Sequence, residues 1–193
     1  MTARTVPPPP RYGTASIGEL LPAAITAISG DDDDLLAWPS GIRAVVVLVV
    51  DGLGRRQLDR HRELAPFIGS APGTTLDAPF PTTTATSLTS LATGRPPGEH
   101  GLVGFSMRAP DHDRLLATLT WSWDRHEPVT DARNGAVPEV VQAQPTVFER
   151  AGTYVAAAVT VLHPDFIGSG LTRAALGGGT VVAAVDAAVQ RLA

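Results

Sequence analysis

The chain has 193 residues, of which 44% are hydrophobic and 18% charged, and its formal net charge at pH 7 is −4. This length and apolar fraction are enough for one domain with a hydrophobic core. The negative charge argues against binding to a nucleic-acid polymer or an anionic membrane. Because cysteine is absent, disulfides, thiolate catalysis and Cys-ligated zinc sites are excluded.

The N-terminal residues 1–13 include four consecutive prolines, and we expect them to form a disordered, extended tail outside the folded domain. They lack the apolar region of a signal peptide, and no apolar run in the chain is as long as a membrane span. The expectation is therefore a cytoplasmic protein with no membrane contact.

The first predicted element is an amphipathic helix over residues 16–29. Ser16 is the expected N-cap, Glu19 completes a capping box, and Gly30 ends the helix. The acidic run at residues 31–34 is interpreted as a solvated loop.

Residues 43–51, with the sequence RAVVVLVVD, are hydrophobic without alternation. This pattern predicts a central parallel strand that is buried on both faces of a sheet. The strand would end at Asp51, and open α/β sheets bind their ligands at the carboxyl ends of such strands.

The remaining segments continue the alternation of helices and strands, which predicts an α/β sandwich. In chain order we expect helices at residues 55–68 and 84–93, a strand at 115–123, a short helix at 146–151, a buried strand at 153–162, a turn and loop region at 168–180, and a last helix at 181–192.

Hydroxyl side chains are concentrated in residues 80–105, FPTTTATSLTSLATGRPPGEHGLVGF. Pro81 ends whatever precedes it, and Thr82, Thr83 and Thr84 are all candidate N-caps of the helix that comes next. The last of them would present its Oγ beside free backbone N–H groups, which favour phosphate. Taken alone, the segment favours an ordinary helix cap.

The combination of a strand-terminal Asp51 with Thr84 at a helix start favours a catalytic interpretation instead. A threonine hydroxyl is a poor nucleophile unless a base or a metal activates it. A divalent cation held by Asp51 could bind the Thr84 oxygen and lower its pKa, as metals do for bound water. The hypothesis is phosphoryl transfer with Thr84 as nucleophile and Asp51 and Thr84 as metal ligands.

The two segments together resemble the N-terminal half of the nucleotide pyrophosphatase/phosphodiesterase branch of the alkaline phosphatase superfamily. The resemblance covers about residues 43–105. It rests on an Asp-Gly at 51–52, a Pro-x-x-Thr at 81–84, a Thr-Gly at 93–94 and a Pro-x-x-His-Gly at 97–101. Counting back from the Thr-Gly pair places the family's nucleophile on Thr84.

The resemblance implies an alkaline phosphatase-like three-layer α/β sandwich with a mostly parallel central sheet. It implies a metal-dependent hydrolase of small phosphodiesters or nucleotide pyrophosphates that works through a phosphothreonine intermediate. Two zinc ions are implied, one of them shared by Asp51 and Thr84, although oxygen ligands also suit manganese or magnesium. A metal-activated water would then hydrolyse the intermediate.

The family's later metal ligands have no clear counterpart, so we expect a truncated chain in which residues 14–193 are the N-terminal part of the catalytic domain. His163 with Asp165 is given a weak role at the edge of the substrate site. The other candidates are interpreted as turn, loop or surface residues; they are Asp111–Asp113, Asp124 with His126, His100 and His61.

Two alternatives stay open at this point. The first is a non-catalytic phosphate-binding module or a degenerate enzyme, in which the helix start binds an anion without metal. The second is a triad of Ser87 or Ser169 with His163, which is disfavoured because the chain lacks a Gly-x-Ser-x-Gly elbow. The sequence leaves the oligomeric state open.

Overall fold

The computed structural model describes residues 8–30, 35–123, 130–152, 159–162 and 166–183. Two short 3-10 helices lie at Ile17–Glu19 and Arg62–Leu64. The α-helices are α1 (Leu20–Ser29), α2 (Arg55–Arg60), α3 (Pro66–Ser70), α4 (Thr84–Thr93), α5 (Pro97–His100), α6 (Pro138–Val141), α7 (Val147–Ala151) and α8 (Gly170–Ala175). None of these described helices is long and apolar enough to cross a membrane.

The strands form two small sheets in an α/β arrangement. The first sheet is antiparallel throughout, with its four strands in sequence order, and the second is one parallel pair. The strands are β1 (Ser106–Arg108), β2 (Leu115–Ala117), β3 (Ser122–Trp123), β4 (Thr130–Asp131), β5 (Val159–Leu162) and β6 (Thr180–Ala183). The predicted mostly parallel central sheet is therefore not found in the described part of the chain.

The hydrophobic core lies between α4, α8 and the antiparallel sheet. Helix α4 packs against α5, α7 and α8 and against the first 3-10 helix. At the centre is Trp121, which is 1% exposed and whose indole N–H donates to the Ala136 carbonyl oxygen at 2.7 Å. The largest apolar side chains around it are those of Leu102, Leu116, Trp123 and Leu171.

Three predicted helices form where local capping signals are strong. The Ser16–Glu19 capping box is present and starts the 3-10 helix that continues into α1, which ends at Gly30 with φ of 78°. Helix α4 has the predicted bounds, and a second capping box between Thr146 and Glu149 starts α7.

The predicted central strand at residues 43–51 is wrong for this structure. Residues 43–50 belong to no helix or strand, and the side chains of Val46 and Leu48 are 93% and 78% exposed. The hydrophobic pattern is typical of a strand buried between two others. No described strand pairs with this segment, so its backbone hydrogen bonds have no strand partner.

The helix predicted over residues 55–68 is broken into three pieces. Ala65 precedes Pro66 and has φ of −136°, outside the helical region, because the proline ring disfavours helical backbone in the residue before it. The strand predicted over residues 115–123 is likewise split into β2 and β3, which pair with each other across a turn that contains Trp121 in the left-handed region.

The C-terminal predictions are partly wrong. A loop is predicted over residues 168–180, but α8 lies there, with Ser169 as its N-cap. Residues 181–183 belong to β6 rather than to a helix, and residues 184–193 lie outside the described residues. Residues 159–162 of the predicted strand form β5, while residues 153–158 also lie outside the described part.

Gly170 allows α8 to contact the core tryptophan. A Cβ at this position would lie 2.0 Å from Trp121 Cγ and 2.3 Å from Trp121 Cβ, and the buried, hydrogen-bonded indole cannot move away. We expect Gly170→Ala to lower the free energy of unfolding by about 1–3 kcal/mol or more, as overpacking does, measured by urea denaturation. Gly98→Ala is the matched control, because its Cβ would meet nothing within 4 Å. An unchanged midpoint for Gly170→Ala would contradict this packing.

Candidate active site

The first predicted site residue, Asp51, lies in an exposed turn directly after residues 43–50. The Leu53 N–H donates to the Val50 carbonyl oxygen at 3.3 Å, and Gly52 has φ of 75°, a value that favours glycine. The turn directs the chain toward α2 and leaves the Asp51 side chain at the surface.

The second predicted site residue, Thr84, is the first residue of α4. The N-cap is Thr83, whose hydroxyl oxygen accepts from the Thr86 N–H at 3.4 Å, while the Thr83 carbonyl oxygen accepts from the Ser87 N–H at 2.8 Å. Because the cap is supplied by Thr83, the Thr84 hydroxyl is not needed for it. The sequence allows Thr82, Thr83 or Thr84 as the cap, and in the structure the cap is Thr83.

Asp51 and Thr84, 33 residues apart in the chain, are brought together. The Thr84 hydroxyl donates to Asp51 Oδ2 at 3.0 Å. Thr84 is half-buried and Asp51 is exposed, so the pair is open to solvent. The pair therefore places a potential metal ligand, the Asp51 carboxylate, beside a potential nucleophile, the Thr84 hydroxyl. One small molecule could contact both.

Neighbouring hydroxyls of the same segment make bonds within their own region of the chain. Thr82 Oγ1 donates to the Pro79 carbonyl oxygen at 3.0 Å, and Thr83 Oγ1 donates to Thr86 Oγ1 at 2.9 Å. Thr89 Oγ1 donates within α4 to the Ala85 carbonyl oxygen at 2.7 Å. The hydroxyls of these three threonines therefore make structural hydrogen bonds within their own segment. The Thr84 hydroxyl differs because its partner, Asp51, lies in a distant part of the chain.

His100 lies under α4 and is 2% exposed. Its Nδ1 accepts from the Leu102 N–H at 3.1 Å, and its Nε2 lies 2.9 Å from Ser90 Oγ. Burial lowers the pKa of His100 to about 4, so the ring is neutral near pH 7 and its Nε2 carries the proton. Sequence reasoning missed Ser90 as its partner, because no spacing rule relates a residue in the middle of α4 to the last residue of α5.

The other candidate ligands lie elsewhere or outside the described residues. His112 Nε2 is 2.9 Å from the Gly135 carbonyl oxygen and its ring lies 5.0 Å from that of Trp123, while Asp113 pairs with Arg108. His61 is exposed at the end of α2. Asp124, His126, His163 and Asp165 lie outside the described part of the chain.

The donor set at Asp51 and Thr84 fits part of a metal site. Carboxylate and hydroxyl oxygens 3.0 Å apart suit one divalent cation as adjacent ligands. Among the described residues, no group of three or more His, Cys, Asp or Glu side chains could complete the coordination.

Comparison with known protein families gives a match that covers most of the chain. The chain is similar to the family described as type I phosphodiesterase / nucleotide pyrophosphatase over residues 45–176, a span that includes both Asp51 and Thr84. Neither the curated proteins nor the solved structures gave a match.

Proposed function

This chain belongs to the type I phosphodiesterase / nucleotide pyrophosphatase family, and from that premise we propose that it is a metal-dependent phosphohydrolase with Thr84 as its nucleophile. The observation that carries the proposal is the 3.0 Å hydrogen bond from the Thr84 hydroxyl to Asp51. The family supports hydrolysis of small phosphate esters or nucleotides, and it is generally metal-dependent.

The substrate phosphate would bind at the start of α4. The first backbone N–H groups of a helix have no partner within the helix and attract anions. Thr84 is the first residue of α4, so an anion bound there lies next to its Oγ. The Asp51 carboxylate orients the hydroxyl through the hydrogen bond it accepts, which holds the Oγ lone pairs free for attack on phosphorus.

The reaction would then take place in two displacement steps. Thr84 Oγ forms a bond to phosphorus as the bond from phosphorus to the leaving oxygen breaks, and the leaving group departs as an oxyanion with the bonding pair. The hydroxyl proton passes to Asp51 Oδ2, which already accepts the hydrogen bond from this hydroxyl. The phosphothreonine intermediate is hydrolysed by water, which breaks the bond from Oγ to phosphorus and restores the hydroxyl. A divalent cation held by Asp51 and Thr84 would supply positive charge that stabilises the deprotonated oxygen and the phosphate.

A complete site requires more ligands than these two. We propose zinc as the metal, with manganese or magnesium as alternatives, and further ligands from residues outside the described part of the chain. In the same proposal, residues 14–193 are the N-terminal part of an alkaline phosphatase-like sandwich in a cytoplasmic enzyme.

The test is hydrolysis of the nitrophenyl ester of a nucleoside monophosphate, monitored by release of nitrophenolate. We expect turnover to depend on added divalent metal and to fall by about a hundredfold or more in Asp51→Asn. Asp113→Asn is the control, since its side chain is 96% exposed on a separate hairpin, and it should leave turnover unchanged. Phosphate binding that is unaffected by chelator and by Asp51→Asn, without turnover, would favour the anion-binding module instead.

A further inference from the structure

The N-terminal residues 11–19, which overlap the predicted disordered tail, make a dense set of contacts with the loop before α4. The Arg11 guanidinium donates to both carboxylate oxygens of Asp77, from Nε at 2.8 Å and from Nη2 at 3.0 Å. Nη2 also donates to the Thr75 carbonyl oxygen at 3.1 Å. This ion pair lowers the pKa of Asp77 to about 2, so the carboxylate stays charged near neutral pH.

Backbone hydrogen bonds reinforce the ion pair. The Asp77 N–H donates to the Ala15 carbonyl oxygen at 2.8 Å, and the Ile17 N–H donates to the Asp77 carbonyl oxygen at 3.0 Å. These two bonds form a parallel bridge between Ser16 and Asp77. The segment is therefore fixed to the loop by its main chain as well as by a side chain.

One contact reaches closer to Thr84. The Phe80 N–H donates to the Tyr12 hydroxyl oxygen at 3.1 Å, four residues before the proposed nucleophile. From there the chain has little freedom, because Thr82 Oγ1 donates to the Pro79 carbonyl oxygen and the Thr83 N–H donates to the Pro81 carbonyl oxygen at 3.0 Å.

The same N-terminal segment also contacts α4 directly. The first 3-10 helix packs on α4, and a Cβ on Gly18 would be in ordinary contact with the Ser90 carbonyl oxygen, at 3.5 Å. Glu19 ties the two parts of the segment together, since its carboxylate accepts from the N–H groups of Gly13 and Ser16 at 2.8 Å and 2.6 Å. The segment thus contacts both the loop before α4 and the helix itself.

We propose that residues 11–19 are a positioning clamp for the reaction, in which Tyr12 and Arg11 fix the start of α4 so that Thr84 stays in register with Asp51. The inference rests on the proposed role of Thr84. Tyr12 and Arg11 are positioning residues, because they contact the loop and not the reacting atoms. Displacing a catalytic group by about 1 Å can lower a rate by about a hundredfold, which gives such a clamp a measurable effect on turnover.

The first experiment is amide hydrogen exchange of the 193-residue protein, measured by NMR for wild type and Tyr12→Phe. This variant removes one hydroxyl and keeps the ring. We expect exchange at the Thr83, Thr86 and Ser87 amides, none of which bonds to Tyr12, to accelerate by about twofold to tenfold. Arg173→Ala is the matched control, because Arg173 forms an exposed bidentate pair with Glu139 at 2.7 Å and 2.8 Å. Equal exchange at these three amides in Tyr12→Phe and wild type would overturn the clamp.

The second experiment separates positioning from stability by steady-state kinetics on the nitrophenyl nucleotide ester. We expect Arg11→Ala and Tyr12→Phe to lower kcat by about tenfold with KM changed less than about twofold, and Arg11→Lys to recover part of the loss. An unchanged kcat with faster exchange would overturn the positioning role. If Thr84→Ala keeps full turnover, or wild type has none, the proposed function fails, while the exchange data still decide whether the segment holds the start of α4.

Discussion

Replacing Thr84 by alanine is expected to lower turnover of the nitrophenyl nucleotide ester by about a thousandfold or more, because removing a catalytic nucleophile abolishes the covalent route. The variant should fold normally, since the helix cap is supplied by Thr83 and the only bond of the Thr84 hydroxyl that the structure describes goes to exposed Asp51. Rapid acid quench of the wild type, with peptide mass analysis, should show the retained phosphate ester on the peptide that contains Thr84. The variant should show none.

Thr82→Ala is the matched control for that experiment. Thr82 is two residues away, carries the same hydroxyl and donates it to the Pro79 carbonyl oxygen at 3.0 Å. We expect this change to alter turnover by less than about tenfold, as loss of one structural hydrogen bond does. Covalent labelling of Thr82, or equal losses in the two variants, would contradict the assignment of Thr84.

The elements that could be predicted from sequence are those fixed by neighbouring residues. A capping box needs two side chains three residues apart, and the structure has one at Ser16 and Glu19 where the sequence predicts it. Helix α4 has the predicted bounds because Thr83 begins it and Gly94 ends it with φ of 66°. The sequence motif was enough to predict that Asp51 and Thr84 act together. Which of the three threonines caps α4 could be decided only from the structure, where the cap is Thr83.

The elements that could not be predicted depend on residues far along the chain. Residues 43–50 have the composition of a buried strand, but a strand forms only where another strand pairs with it. Gly170 lies in a glycine-rich stretch that predicts a turn, yet it is the first residue of α8. Its lack of a side chain allows the helix to pass next to the Trp121 ring. Tyr12 lies in a proline-rich segment whose contact with Phe80, 68 residues away, has no local signal.

The pH dependence of stability provides a prediction for His100. Its pKa is lowered to about 4 by burial, and an unfolded histidine has a pKa of about 6.5. Stability from the neutral ring is therefore fully present above about pH 7, and it is lost as the pH falls below about 6.5, because the unfolded chain binds a proton that the folded chain excludes. Protonation of Nδ1 would also remove the acceptor of the Leu102 N–H.

We expect His100 to account for a loss of roughly 2 kcal/mol in the free energy of unfolding between about pH 7 and pH 5, measured by urea denaturation. His100→Asn should remove that part of the slope, since the amide does not titrate while its oxygen can still accept from the Leu102 N–H. His61→Asn, at an exposed histidine, should keep the wild-type slope. If the free energy of unfolding falls equally with pH in wild type and His100→Asn, the buried ring is not the cause of acid destabilisation. The hydrogen bond between His100 and Ser90 would then be insensitive to pH in this range.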